Sequence, residues 1–208
     1  MTVRTVSDPV YEPVSLAEAK DWCNVGSSDG TTFDAVLTLL IAAMRRYAEN
    51  LTGRAFIQRS LQLILPYWPA DGVIELPYPP LAEVTSIQYI DTDGTVQTLA
   101  ADQYVVHTWR EPGMVVPEYL VSWPSLRGVP NAVQVNYMAG YAAVGSPQEE
   151  AENQAGQPQT VKLWMHARLA TLFENREQIV VGSTVADLPR AYVDGILDEL
   201  VVHDRVTG

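Results

Sequence analysis

The residues of this chain that could do chemistry are few and scattered. Three histidines, His107, His166 and His203, stand far apart, and no nucleophile elbow, phosphate loop, dinucleotide-binding glycine pattern or His-Glu-x-x-His run accompanies them. His166 lies beside Trp164 in a helical pattern, where a packed or surface imidazole is the plainer reading. Glu174 and Glu177 fall at i and i+3 in Glu174-Asn175-Arg176-Glu177, a spacing that could pair two carboxylates for acid–base work. Nothing else in the chain supplies them with a nucleophile or a metal partner. A polar helix end with a local Arg–Glu contact accounts for them. Asp91-Thr92-Asp93-Gly94 has the start of a calcium loop but lacks the third oxygen ligand and the closing glutamate, so it reads as a hairpin turn. The single cysteine, Cys23, excludes an internal disulfide and a cysteine-based zinc site, and reads as a small buried hydrophobe. Neither a metal nor a cofactor is expected.

Charge narrows the classes further. The 208 residues carry 13 Lys and Arg against 25 Asp and Glu, a formal net charge of -12. Affinity for nucleic acid comes from neutralising phosphates, so this chain is a poor candidate for wrapping DNA or RNA, or for docking on anionic lipid. The acid is concentrated: from Ser60 to Val161 the only bases are Arg110 and Arg127, against eleven acids. Arg45, Arg46, Arg54 and Arg59 form the densest basic group. Met1 to Asp8 has no apolar core of a signal peptide, and Val36 to Met44, broken by Thr38, is too short to span a membrane. The expectation is a soluble protein of a reducing compartment.

The elements that must position these residues fall into three blocks. Ser15-Leu16-Ala17-Glu18 is a capping box, predicting a short helix to about Cys23. After a polar loop, Thr32 is expected to cap a longer helix. Its inner face is Phe33, Leu37, Leu40, Ile41, Met44, Tyr47, Ala48 and Leu51, and Gly53 stops it. Short β-branched and aromatic runs follow: Ser60–Leu65, Val73–Leu76, Val84–Ile90, Val96–Leu99, Tyr104–His107 and Ala132–Tyr137, punctuated by prolines and glycines. Asp93-Gly94 makes a hairpin turn, and Val133 to Tyr137 alternates strictly between apolar and polar. Gly145 to Pro158 reads as a polar acidic loop. A third helix is expected from Val161 to about Glu177, and a fourth carries Tyr192, Val193, Ile196, Leu197 and Leu200 after an Asp187 cap and Pro189. The fold class expected is α+β: a four-helix bundle, two helices N-terminal and two C-terminal, with a small antiparallel β-sandwich or barrel inserted. The boundaries are 12–56 for the first helical pair, 57–141 for the β module, 142–158 for the loop, 159–202 for the second helical pair and 203–208 for the tail.

The segments, in order, resemble the head–tail connector, or neck adaptor, proteins of long-tailed bacteriophages and phage-derived gene transfer particles. The resemblance rests on Glu12-Pro13-Val14-Ser15-Leu16-Ala17-Glu18-Ala19-Lys20, then Tyr47-Ala48-Glu49-Asn50-Leu51-Thr52-Gly53-Arg54-Ala55-Phe56, then Leu76-Pro77-Tyr78-Pro79-Pro80-Leu81. It continues through Trp123-Pro124, Pro130-Asn131-Ala132-Val133, Ala139-Gly140-Tyr141, Phe173-Glu174-Asn175-Arg176-Glu177 and Leu188-Pro189. It covers roughly residues 12 to 200. The acidic loop from Ser146 to Pro158 and the run from Val201 to Gly208 depart from the family pattern.

The resemblance implies a structural virion protein without catalysis, assembled in the host cytoplasm and seated at the neck. It implies a homo-oligomeric ring of twelve copies that binds the portal protein, extends the DNA channel and offers the attachment site for the next neck or tail component. DNA passes through without specific binding, and no membrane is involved. On that reading the subunit-interface candidates are Arg45, Arg46, Arg54, Glu174, Arg176 and Glu177. The portal-docking candidates are Asp198, Glu199, Leu200, Val201, Val202, His203 and Arg205, and the channel-lining acids are Asp71, Glu75, Asp91 and Asp93. Three readings compete. One is another neck part, such as a stopper or tail-completion protein. Another is a small hydrolase with a non-contiguous Asp/Glu/His site. The third is a carbohydrate-binding module stacking sugars on Trp68, Tyr78, Trp109 and Trp123.

Overall fold

The computed structural model describes residues 1–143, 149–174 and 194–202. The chain divides into two compact units, one made of Met1–Val10 with Gly53–Tyr141 and the other of Tyr11–Thr52 with Ala142–Gly208.

The first unit is built from strands. They are β1 (Thr2–Thr5), β2 (Arg59–Leu65), β3 (Ile74–Leu76), β4 (Leu81–Ile90), β5 (Val96–Thr98), β6 (Tyr104–His107), β7 (Gly113–Pro117) and β8 (Val133–Ala139). Five form one antiparallel sheet in the order β1-β2-β8-β4-β5, and three form a second in the order β3-β7-β6. The central strand is β8, and its strict alternation sets which face is inside. Val133, Val135, Tyr137 and Ala139 are buried. They pair in register with Leu65, Leu63, Leu61 and Arg59 of β2. Ile87 of β4 meets Val135 from the other side, after two register shifts that take up extra residues as bulges. Ile74, Leu76 and Val115 of the second sheet join the same core. The opposite face of the large sheet carries amides: Gln62 Nε2 donates to Asn136 Oδ1 at 2.8 Å and to Gln134 Oε1 at 3.2 Å, and Asn136 Nδ2 donates to Ser86 Oγ at 3.0 Å. This ladder satisfies polar groups where β8 turns away from the core.

The expected hairpin forms at Asp91–Thr95. The Asp91 carbonyl accepts from the Gly94 N–H at 3.0 Å, and Gly94 has φ 89°. The Asp91 carboxylate accepts from the Asp93 and Thr95 N–H groups and from Gln97 Nε2, all within 3.0 Å. The Gln97 and Thr95 hydrogen bonds hold its pKa below the usual carboxylate value. Two strands escaped the sequence reading, β1 and β7.

The second unit contains α1 (Leu16–Trp22), α2 (Asp34–Thr52), α3 (Glu150–Ala155) and α4 (Gln159–Glu174). The capping box at the start of α1 is complete: the Ser15 hydroxyl accepts from the Glu18 N–H at 3.1 Å, and the Glu18 carboxylate accepts from the Ser15 N–H at 2.9 Å. The longest helix, α2, starts two residues after the expected cap at Thr32 and ends at Gly53, whose φ of 70° is the left-handed stop. Its buried positions are Leu37, Ile41, Arg45, Ala48, Glu49 and Thr52. Trp164, Met165 and Leu169 of α4 are buried within the same unit, with Tyr47 stacked on Trp164 at 5.8 Å and Phe173 edge-on to Phe33 at 5.3 Å.

The expected four-helix bundle with an inserted sandwich is therefore corrected. Eight strands in two antiparallel sheets dominate the described residues, and the helices do not make two pairs of equal standing. The apolar run expected as a fourth helix coils from Gly195 to Leu200 as a 3-10 segment before Val201 turns extended. Its Asp187 cap and Pro189 lie outside the described residues. The stretch read as an acidic loop contains α3. Its buried side chains are Asn153 and Gln154, so no apolar period announced it. Gln157, just beyond, donates from Nε2 to the Asn153 carbonyl at 3.0 Å.

Candidate interaction surfaces

The residues expected at a subunit seam sit in three different situations. Arg45 is 3% exposed. Its Nε and Nη2 fork onto the Glu12 carboxylate at 2.7 and 3.2 Å, and its Nη1 donates to Glu49 at 2.9 Å. Burial works against the charged guanidinium, but the two carboxylates outweigh that and hold the proton more firmly than usual. Arg54 is engaged within the β unit, where its Nη2 meets Glu111 at 2.6 Å. Arg46 and Glu174 are exposed, on α2 and at the end of α4 respectively. Arg176 and Glu177 lie outside the described residues.

The C-terminal candidates are tied to the helical unit. Asp194, just before the 3-10 segment, is buried and accepts from Trp164 Nε1 at 3.2 Å and from Arg168 Nη2 at 2.6 Å. Asp198 and Glu199 are exposed, and Thr160 Oγ1 donates to Glu199 at 2.6 Å. Leu200, Val201 and Val202 are half-buried, and the Val202 N–H donates to the Thr52 carbonyl at 2.7 Å. His203 and Arg205 lie outside the described residues. Among the acids, Asp71 and Asp93 are exposed, while Glu75 on β3 and Asp91 at the hairpin are half-buried.

The aromatic cluster of the β unit is structural in three of its four members. Trp68 and Trp123 stack at 4.6 Å, and their indole N–H groups donate to the Pro124 and Gly72 carbonyls. Tyr78 lies under Arg59, whose guanidinium carbon is 5.9 Å from the ring centroid. Only Trp109 stands out, 79% exposed, with His107 edge-on to it at 5.9 Å. Among the described residues no group of three His, Cys, Asp or Glu side chains could hold a metal, and no helix is long and apolar enough to cross a membrane.

Two features were not read from the sequence. The outer face of α2 is apolar at its first half: Val36 is 43% and Leu39 70% exposed, with Arg46 further along the same helix. Leu163 and Leu172 are likewise bare on α4. The signal available was Leu39 itself, a large aliphatic residue left off the inner face of an amphipathic helix. The other is an open groove of about 820 Å³ in the helical unit. Glu18 and Trp22 of α1, Lys162, Leu163 and His166 of α4, and Ile196 and Glu199 of the 3-10 segment line it.

No protein-family model and no curated protein matches the chain by sequence. Solved structures match it along its whole length. A chain from the neck of an empty gene transfer agent particle, computed with C6 symmetry, superposes with a TM-score of 0.79 at 19% identity, covering 100% of this chain and 99% of that one. The fold is that of a gene transfer agent neck chain. A chain of the native gene transfer agent virion gives a TM-score of 0.77 at 20% identity, with the same coverage. A neck chain from the native particle, computed with C12 symmetry, gives 0.70 at 20% identity, again over 100% and 99% of the two chains. The neck-protein resemblance read from the ordered segments and the fold agree.

Proposed function

We propose that this chain is a structural neck protein of a phage-derived particle, a head–tail connector subunit of the virion rather than an enzyme. The observation that carries the reading is end-to-end likeness to neck chains, with neither chain leaving a domain over. Copies close into a ring, probed first at twelve members because one of the similar necks was computed with that symmetry. The ring binds the portal protein, prolongs the DNA channel and presents an attachment site to the next neck or tail component.

Arg45 and Arg54 are engaged inside their own subunit, so the outward contribution of α2 comes from Val36, Leu39 and Arg46. We assign this face to the C-terminal end of α4 in a neighbouring copy, where Leu172 and Glu174 are exposed and Arg176 and Glu177 follow in sequence. Asp198 to Val202, with His203 and Arg205 beyond, is assigned to the portal. The acidic β unit, with Asp71, Glu75, Asp91 and Asp93, is assigned to the channel wall, where like-charge repulsion keeps DNA from adhering.

The test adds the purified chain to portal-bearing, DNA-filled particles that lack it and images the vertex by electron microscopy. A new ring of density under the portal with restored tail attachment is the expected result. Particles that stay bare and tailless would overturn the reading.

A further inference from the structure

We propose that the groove between α1, α4 and the 3-10 segment is a receptor for a segment of a partner protein that presents one arginine between aliphatic side chains. The inference adds to the connector reading without resting on it.

One lining residue carries an unsatisfied group. His166 is 6% exposed, and its Nδ1 is buried with no hydrogen-bond partner among the described residues. A buried polar atom left unpaired costs on the order of 1–3 kcal/mol, so this wall of the groove is held at some expense. Burial pushes the imidazole pKa down, with Lys162 adding to the effect and Glu18 opposing it, so the ring adds no positive charge to the groove at pH 7.

The walls are apolar and bare. The Trp22 ring stacks on His166 at 4.8 Å and 11°, yet Trp22 remains 47% exposed. Leu163 is 49% and Ile196 37% exposed. A volume of about 820 Å³ has room for several side chains, far more than one ion needs.

The rim is acidic. Glu18 and Glu199 line the groove, Asp198 is next in sequence, and among the described lining residues the one cation is Lys162, whose amine already meets Glu18 at 2.8 Å. Burial works to raise the Glu18 carboxyl, but the Lys162 and Ser15 hydrogen bonds outweigh it and keep the group ionised well below neutral pH. An anionic peptide, a phosphate or an anionic lipid is repelled here. A metal ion is equally ill-served by indole and aliphatic walls. An arginine fits each part: its plane stacks on indole, its fork of N–H donors suits the rim carboxylate of Glu199, and its weak hydration makes burial cheaper than for lysine. Flanking aliphatic residues would cover Leu163 and Ile196.

The test uses the full chain and three capped heptapeptides with leucines around a central arginine, citrulline or glutamate. Binding is read by calorimetry and by amide NMR shifts. The arginine peptide is expected to bind about tenfold more tightly than its citrulline counterpart, the worth of one charge-assisted contact. Shifts should cluster at Trp22, His166 and Glu199. Glu199→Gln keeps an acceptor for Thr160, so it should leave the unfolding midpoint unchanged while weakening the arginine peptide several-fold. Equal affinity for the citrulline or glutamate peptide, shifts elsewhere, or no binding by any peptide would overturn the proposal. So would concentration-dependent shifts at the same residues without peptide, which would make a second copy the occupant.

Discussion

Arg45 shows how one side chain can look like an interface residue in sequence and be a core residue in space. Its position in the second half of α2 puts it beside Arg46, which is exposed, but Arg45 itself turns inward between Glu12 and Glu49. Removing one member of a buried ion cluster leaves charge in a place that cannot hydrate it. Arg45→Met is therefore expected to lower stability by about 3 kcal/mol, read as a fall in the urea midpoint. Arg45→Lys should recover only part, because an ammonium cannot fork onto the two Glu12 oxygens. His166 makes a second prediction at this scale. Its folded pKa lies below the ordinary 6.5, so the unfolded chain takes up a proton before the folded one as pH falls. The stability tied to a neutral His166 is complete above pH 6.5 and declines as pH falls toward the depressed folded value. Glu18, also depressed, gives up its contribution only in the lower window below 4.5. Comparing urea midpoints at neutral pH and at about pH 5.5, the wild-type chain should lose more stability than His166→Phe. An equal loss would mean the imidazole is protonated alike in both states.

At the scale of elements, β8 runs into a position that only glycine can fill. Gly140 has φ 125°, and its N–H donates to the Pro80 carbonyl at 2.9 Å. A Cβ there would lie 2.5 Å from the Ile57 carbonyl atoms and 2.6 Å from the Gln58 nitrogen. Gly140→Ala should cost on the order of 2–4 kcal/mol by strain and backbone clash together. Gly128→Ala, where nothing lies within 4 Å, should fall within about 0.5 kcal/mol of wild type. Equal midpoints for the two variants would show that the β8 end relaxes freely. The same strand explains what was legible in the sequence. Val133 to Tyr137 alternates because one face meets the core and the other meets Gln62 and Ser86, so its period survives in the residue types. The α1 capping box and the Asp93-Gly94 turn were legible because each is closed by residues within four positions. The strand β1 was not: Thr2–Thr5 is half-exposed or exposed and is defined by pairing with Leu61–Ile64, far along the chain. Nor was β7, hidden in a Gly113–Pro117 run whose punctuation reads as loop. The groove was illegible for the same reason, since Trp22, His166 and Ile196 meet only after α1, α4 and the 3-10 segment pack.

At the scale of the whole molecule, the connector reading turns on what closes a ring of an acidic protein. With a net charge of -12, neighbouring copies repel at long range, and short-range apolar contact has to overcome this. The bare face of α2 offers such contact, and burying a leucine side chain is worth about 1.5–3 kcal/mol. Isolated surface ion pairs add at most about 1 kcal/mol each. Leu39 should therefore weigh more than Arg46 at the seam, although charged pairs were the more conspicuous feature of the sequence. Leu39 is 70% exposed in the single chain, so Leu39→Asp should leave the urea midpoint of the isolated protein within about 0.5 kcal/mol of wild type. In a closed ring the same change places a desolvated carboxylate at every seam, so the defect is multiplied around the ring. The variant should fail to add density beneath the portal of connector-deficient particles under conditions where the wild-type chain does, while Arg46→Gln retains most of the occupancy. Raising salt should help the wild-type chain to assemble by screening its repulsion, and should not rescue Leu39→Asp, whose defect is the lost apolar contact. Wild-type occupancy by Leu39→Asp would place the seam on another face of the helical unit.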